Sequence, residues 1–463
     1  MTTFGRLARM DGTLQLKIEK LDTAENQFDL FRSIYSAFDK VFILESLVGP
    51  KELSEMSVIG FDPELTVTCT ADKFTVRNRK GVIRETAVRD PLLQLRELLP
   101  HVGDDSFRYI GGAVGYISYD AVRFWERLPP GKRKGAGFPL LEFGIYLDGI
   151  LYNHKENQAY YFHLGKSRLK EIEAIVSKSA ERKMKFSFSS ARRNMTQERF
   201  KRMVRKAKGY VYDGDVFQVV LAKSINFNLN GSLLRLYEAL REVNPSPYMY
   251  LVKMSSRCII GSSPEMLIRV TKDFVETFPI AGTRPVARDP IENERLKQDL
   301  LSDEKELAEH TMLVDLARND IGRVCRFGTV KVNELMTVKR FSHVQHIVSH
   351  VTGSLEKKFD SFDAIRAVFP AGTVSGAPKV RAMEVIDELE PTLRGPYAGA
   401  LGYFSFNGSC DFAITIRSLF VKGRKGYIQS GAGIVMDSDP ANEWAETEHK
   451  AGAMISALKA ASK

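Results

Sequence analysis

The stretch "IQSGAGIVMDSDPANEWAETEHK", Ile428 to Lys450, places a strand signal directly before a helix signal. An apolar run closes on Gly431-Ala432-Gly433, where exposed backbone N–H groups suit an anion. Beyond the turn, Glu443 and Glu446 stand one helical turn apart, with Lys450 a turn further on. On a surface helix that pattern supplies only side-chain support. After a strand ending in glycines, inward carboxylates point instead to an anionic ligand bridged by a cation. Two Glu and all-oxygen ligation favour Mg²⁺ over Zn²⁺.

Working outward, "EKELAEHTMLVDLARNDIGR" (Glu304–Arg323) sets Glu309, Met312, Leu313 and Leu316 on one helical face. A carboxylate turned toward a core needs a partner, either a salt bridge or a metal ion. The pattern predicts a helix from Glu292 to Ala317, with Gly322 as terminator. "RFSHVQHIVSHV" (Arg340–Val351) carries His343, His346 and His350. It alternates like a strand, which puts His343 and His346 on opposite faces. One functional His fits that better than a three-His ligand set. "FPAGTVSGAPKVRAMEVIDELE" (Phe369–Glu390) opens a helix after a Gly-Thr-x-Ser-Gly loop, so its free N–H groups favour a carboxylate or phosphate. It is not a Walker motif, because no Ser or Thr follows Lys379. "ETFPIAGTRPVARDP" (Glu276–Pro290) looks built to hold a ligand at Gly282 and Thr283, yet carries the inert Ala281 before them.

The first ~160 residues read as mixed strands and helices, with alternating hairpins at "TVTCTADKFTVRNRKGVIRET" and "GIYLDGILYNHKENQAYYFHLG". "IGGAVGYISYD" is neither G-x-G-x-x-G nor a P-loop, so its glycines read as tight strand packing. Strands in runs with helices interspersed predict α+β rather than a regular β-α-β array. The boundaries expected are an N-terminal region 1–178, a polar linker 179–194 and a second domain 195–463. Thr196 is the expected cap of the helix that opens the second.

The 463 residues are 44% hydrophobic and 27% charged, enough for a large core, and no apolar run is long enough for a membrane span. With no long apolar h-region at the N-terminus, a cytoplasmic protein is expected. The four cysteines, Cys69, Cys258, Cys325 and Cys410, are far apart and read as reduced thiols. The net charge of +10 comes from residues 166–208, which hold 15 Lys or Arg against 4 Glu. One reading is a nucleic-acid patch. The favoured one is a solvated linker and helix face, since the aromatic residues do not interleave with the basic cluster in the way a stacking platform would require.

Taken in order, "FQVVLA", "GSSPE", "FPIAGTRP", "EHTMLVDLARNDIGR", "SHVQHIVS", "AGTVSGAPK", "GPYAGALGY", "DFAITIRS" and "SGAGIVMDSDPANEWAETEHK" resemble the chorismate-utilising enzymes. They span about 215 to 455. The first half, through "ILES", "SVIGFDP" and "GGAVGYISYD", resembles the N-terminal region of the anthranilate-forming members. The resemblance implies two intertwined sub-domains of antiparallel sheets packed face to face with helices outside. It implies a Mg²⁺-dependent enzyme in which Glu309 and Glu446 bind the metal, with Glu443 beside them. Gly282, Thr283, Tyr397, Arg417, Gly431, Ala432, Gly433 and Lys450 would contact chorismate. His346 and Thr373 would line the reacting ring, and Glu265 would protonate the departing hydroxyl. Glu45, Ser46, Pro247, Tyr248 and Met249 resemble a tryptophan feedback pocket.

Two positions narrow the reaction. Water-adding relatives resemble K-V-V-L where this chain has Gln218-Val219-Val220-Leu221, and Gln218 cannot act as their Lys base. Aminodeoxychorismate synthases typically read P-I-K-G-T, whereas Ala281 cannot be a nucleophile. The anthranilate outcome is therefore expected, with an aminodeoxychorismate synthase as the alternative. No glutaminase signature is present, so the resemblance implies a separate glutamine amidotransferase subunit, in a heterotetramer of two large and two small subunits. A nucleic-acid-binding protein and a non-catalytic relative are the competing classes.

Overall fold

The computed structural model describes residues 15–23, 25–48, 56–129, 135, 137–178, 184–341 and 344–463. Among them, every strand belongs to one of two antiparallel sheets, of 13 and 12 strands. In the first sheet Lys40–Glu45 lies beside Tyr248–Met254, with Glu45 opposite Met249. In the second, Gly112–Ile117 lies beside Ala400–Ser405, with Gly115 opposite Gly402. Each sheet thus takes strands from both halves of the chain. Gly115 is glycine because a Cβ there would fall 2.0 Å from the Glu142 carbonyl oxygen. The glycine-rich segment is strand packing, as its sequence indicates.

The sheets face each other across one core. Phe42, Tyr250 and Phe420 from the first meet Phe143, Phe404 and Phe412 from the second. The Phe42 and Tyr146 rings cross it edge to face at 4.8 Å. The outer face of the first sheet is covered by the helices Gln27–Ala37, Leu233–Val243 and Pro440–Ala461, which bury Phe31, Tyr237 and Leu458. The architecture is the α+β one expected, with helices outside face-to-face sheets.

Local signals account for most element ends. Thr196 caps Gln197–Tyr212 by accepting from the Arg199 N–H. That helix buries Phe200, Met203, Val204 and Ala207 while Arg199, Arg202 and Arg205 face outward. Of the expected linker, residues 179–183 lie outside the described residues, and Phe186–Phe188 and Arg192–Arg193 pair with the strand Gln218–Gly231. The single helix expected from Glu292 to Ala317 is in fact two, Pro290–Ser302 and Glu304–Gly322. Asp303 divides them: its backbone is extended, and its carboxylate accepts from the N–H groups of Lys305 and Glu306. A cap in mid-pattern starts a second helix without disturbing the apolar spacing.

Candidate active site

Six elements surround a cavity of about 560 Å³. They are strand β1 (Gln218–Gly231), strand β2 (Ile280–Pro285), helix α1 (Glu304–Gly322), strand β3 (Val344–Ser354), strand β4 (Lys425–Ile434) and helix α2 (Pro440–Ala461). The turn Gly372–Ser375 and the residues Pro264, Glu265, Tyr397, Ile416 and Arg417, which lie between elements, complete the wall. Asp439 caps α2 through the Ala441 and Asn442 N–H groups, with Pro440 at the first helical position. That cap sets which face of α2 turns inward, bringing Glu443, Glu446, His449 and Lys450 to the cavity.

Glu265 stands on the wall, only 7% exposed. Burial pushes its carboxyl up to about 8, against the Thr373 hydroxyl and the Lys450 charge. It is a neutral acid at physiological pH.

His346 lies across β2. The register between β2 and β3 slips between Ala281 and Arg284, and Gly282 takes φ +66 there. The Gly282 carbonyl accepts from His346 Nδ1 at 2.7 Å, and Thr283 Oγ1 lies 3.1 Å from the same nitrogen. A carbonyl can only accept, so Nδ1 carries the proton and Nε2 keeps its lone pair. Burial holds the His346 pKa below the usual imidazole range; the Gly282 bond opposes this, and the Arg417 and Lys450 charges reinforce it. The result is a neutral imidazole with one free basic nitrogen.

Glu306, Glu309, Glu443 and Glu446 share the cavity with Lys305, Arg417 and Lys450. Burial raises the Glu306 pKa, and so does the charge of Glu309. Burial also raises Glu443, with Glu446 adding to it against a bond from Ser438. Glu443 Oε2 is buried without a hydrogen-bond donor. Lys450 pairs with Glu446 at 2.5 Å and donates to the Gly431 carbonyl at 3.1 Å. Arg417 donates to the Lys450 carbonyl at 3.2 Å. Among the described residues no three such side chains converge on one point. An unpartnered carboxylate oxygen and mutually repelling acids nevertheless fit a hard cation held by oxygen.

The cavity brings together Glu265, Gly282, Thr283, Glu309, His346, Thr373, Tyr397, Arg417, Gly431, Gly433, Glu446 and Lys450, all anticipated from sequence. Ala432, between the two glycines, turns its methyl into the core with Leu221 and Ile434. His350 lies elsewhere, bonded to Glu276 at 2.9 Å and stacked on Phe278. His343 is outside the described residues. Lys379 is committed to Asp320 at 2.7 Å and to the Val368 carbonyl, so the Gly372–Ser375 turn reaches the cavity rather than the start of the following helix. Sequence reasoning missed Lys305, Glu306, Gln429, Ser430 and His449. Glu306 stands one turn from Glu309, so the same helical spacing would have found it.

Gln218 is held rather than idle. Its Nε2 donates to Glu309 Oε1 at 2.8 Å. A Cβ on Gly433 would lie 2.4 Å from that nitrogen. Gly433→Ala is therefore expected to push Gln218 off Glu309 and lower kcat/KM about 10- to 100-fold, read by steady-state kinetics. Wild-type kinetics in this variant would show that the contact does not matter.

A second cavity of about 210 Å³ lies between the sheets, lined by Glu45, Ser46, Pro247, Tyr248 and Met249 and by Arg269, Tyr403 and Asp411. The Glu45 carboxylate already accepts from Tyr237 at 2.7 Å and from Arg241 at 2.7 and 3.2 Å. Tyr248 donates to Asp411 at 2.9 Å, and Arg269 donates to the other oxygen of Asp411 at 2.8 Å.

The sequence profile of the chorismate binding enzymes matches residues 39–456, and the chain belongs to that family. It is 49% identical over 445 residues to anthranilate synthase component 1 of Methanothermobacter thermautotrophicus, covering 96% of this chain and 94% of the relative. It is 41% identical over 443 residues to anthranilate synthase component 1 of Saccharolobus solfataricus, covering 96% and 99%. The crystal structure of anthranilate synthase component I from Streptococcus pneumoniae is 34% identical with a TM-score of 0.78, covering 88% of this chain and 94% of that one. The fold alone is shared with the menaquinone-specific isochorismate synthase of Escherichia coli, 18% identical, TM-score 0.71, covering 96% and 95%.

Proposed function

We propose that this protein is an anthranilate synthase large component, converting chorismate and ammonia to anthranilate, pyruvate and water. One arrangement carries the reading: a neutral carboxylic acid, Glu265, and a neutral imidazole, His346, line one cavity in which position 281 is a methyl group.

Chorismate brings two carboxylates into a cavity that already holds four. Arg417, with its planar fork, and the Gly431–Gly433 backbone suit one of them. Lys450 adds charge once Glu446 releases it. Glu309 and Glu446 would hold Mg²⁺, with Glu443 beside them. The ion would neutralise the second carboxylate and draw electron density from the ring. Glu265 gives its proton to the ring hydroxyl, which leaves as water while the ring double bonds shift and ammonia bonds to the ring carbon between those that carry the carboxylate and the enolpyruvyl ether. His346 Nε2 then takes the proton from the carbon bearing the new nitrogen. The ring becomes aromatic as the ether C–O bond breaks; the released enolate takes the proton from His346 to become pyruvate, and the new ammonium group returns one proton to Glu265. Ala281 offers no amine to trap the ring, and Gln218 is neither a base for water nor free of Glu309.

Ammonia comes from a partner. The relatives are named as component 1, which supports a second component, a glutamine amidotransferase. The thiols of this chain agree: burial raises Cys325 to about 11, Cys69 and Cys258 to about 12 and Cys410 further still, so none is a thiolate at neutral pH. Purified chain given chorismate, Mg²⁺ and ammonium is expected to yield anthranilate. Aminodeoxychorismate, isochorismate or no turnover would overturn the assignment.

The second cavity fits a tryptophan feedback site. It is apolar along Leu44, Val58 and Met249 and polar at Glu45, Arg269 and Asp411, as an aromatic amino acid needs. Ser46→Phe fills it. The variant is expected to keep its activity and lose inhibition by tryptophan; inhibition at the wild-type concentration would place the site elsewhere.

A further inference from the structure

Arg394 and Glu390 form an ion pair in which each side chain is 1% exposed, and the chemistry above gives it no part. Such a pair is a poor source of stability, because desolvating both charges offsets their attraction. Apolar residues of similar volume often replace one without loss. Its hydrogen bonds show where it acts. Arg394 Nε and Nη2 donate to Glu390 at 3.1 and 2.6 Å. Nη1 donates to the Val374 carbonyl at 2.6 Å, and Nη2 donates to the Val220 carbonyl at 2.8 Å. Glu390 accepts in turn from the Ala222 N–H at 2.8 Å. Val220 belongs to β1, and Val374 belongs to the turn that carries Thr373; both line the cavity. The guanidinium also lies 5.7 Å from the ring of Tyr397, a third wall residue. Neither Arg394 nor Glu390 lines the cavity itself.

We propose that the Arg394–Glu390 pair is a positioning device for the reaction: its planar fork ties β1 to the Thr373 turn from behind and fixes the spacing between Glu265, Thr373 and Tyr397. This rests on the reading of the cavity as the chorismate site. A rigid fork with donors in two directions can join two carbonyls and a carboxylate at once, which a single ammonium cannot do with the same geometry. An apolar pair would hold the same volume but leave both carbonyls untied.

The decisive variant is Glu390→Met with Arg394→Met, which removes both charges and keeps the bulk. Its Tm is expected to fall, because the Val220 and Val374 carbonyls and the Ala222 N–H lose their partners, while kcat per folded enzyme falls about 10- to 100-fold. The alkaline limb of kcat/KM is also expected to move, because the tie to the Val374 carbonyl sets how closely the Thr373 hydroxyl approaches Glu265. A loss of folded fraction cannot move that limb. Wild-type kcat in the double variant, or a fall in kcat with the limb in place, would overturn the proposal. If the double variant does not fold, Arg394→Lys decides: it keeps the charge but not the fork. A lower kcat with a displaced limb supports positioning, and any other result refutes it. Anthranilate formation by the wild-type chain tests the underlying reading separately.

Discussion

Glu265→Gln is expected to lower kcat about 10²- to 10⁴-fold, the usual contribution of a positioned general acid, without unfolding the protein. The substitution exchanges one neutral buried group for another of nearly the same shape, since the native carboxyl is protonated at neutral pH. The pH dependence carries the sharper signature. In the wild type, kcat/KM is expected to fall as pH rises through about 8, where Glu265 gives up its proton without substrate; in Glu265→Gln that limb should disappear from the residual activity. Stability follows the same group. An unfolded Glu titrates near 4.3, so between about 4 and about 8 the folded chain binds a proton that the unfolded chain does not. The contribution of Glu265 is fully present below that window and is lost as pH rises through it. The Tm of Glu265→Gln should therefore fall less with rising pH than the wild-type Tm. A variant within twofold of wild-type kcat would remove Glu265 from the chemistry.

His346→Gln is expected to stall the reaction after the ring has gained its nitrogen. The lone pair on Nε2 exists because Gly282 holds the proton on Nδ1, and an amide cannot replace it as a base. Release of anthranilate should fall about 10²- to 10⁴-fold. Mass spectrometry of the quenched reaction should show an aminated ring that still bears its pyruvyl ether. Chorismate consumed at the wild-type rate with full release of anthranilate would exclude His346 as the base.

What sequence could and could not supply divides along physical lines. Glu309, Glu443, Glu446 and Lys450 were legible because helical spacing is local, and the residues that set their faces, Asp303 and Asp439, lie within one turn of each helix start. The split at Asp303 was not legible, because the apolar period runs through it unbroken. Gln218 was read as a missing base. Its bond to Glu309 joins positions 91 residues apart, and no pattern within a strand encodes it. The same holds for the second cavity. Ser46 and Tyr248 stand in short motifs, but Arg269 and Asp411 reach it from strands 142 residues apart in the chain. Ala432 shows the opposite limit: a glycine-flanked residue shares its neighbours' motif, yet alternation along β4 sends its side chain to the other face.

The pairing of Gly112–Ile117 with Ala400–Ser405 has a consequence for how the molecule is made. A strand synthesised early waits for a neighbour almost three hundred residues later, so the second sheet cannot close until translation is nearly complete. Contacts this distant in sequence slow folding and leave apolar edges open in the interval. A ribosome-bound chain stopped before residue 400 would therefore present unpaired strands to chaperones, and truncation ahead of Ala400 should abolish the second sheet as surely as the active site.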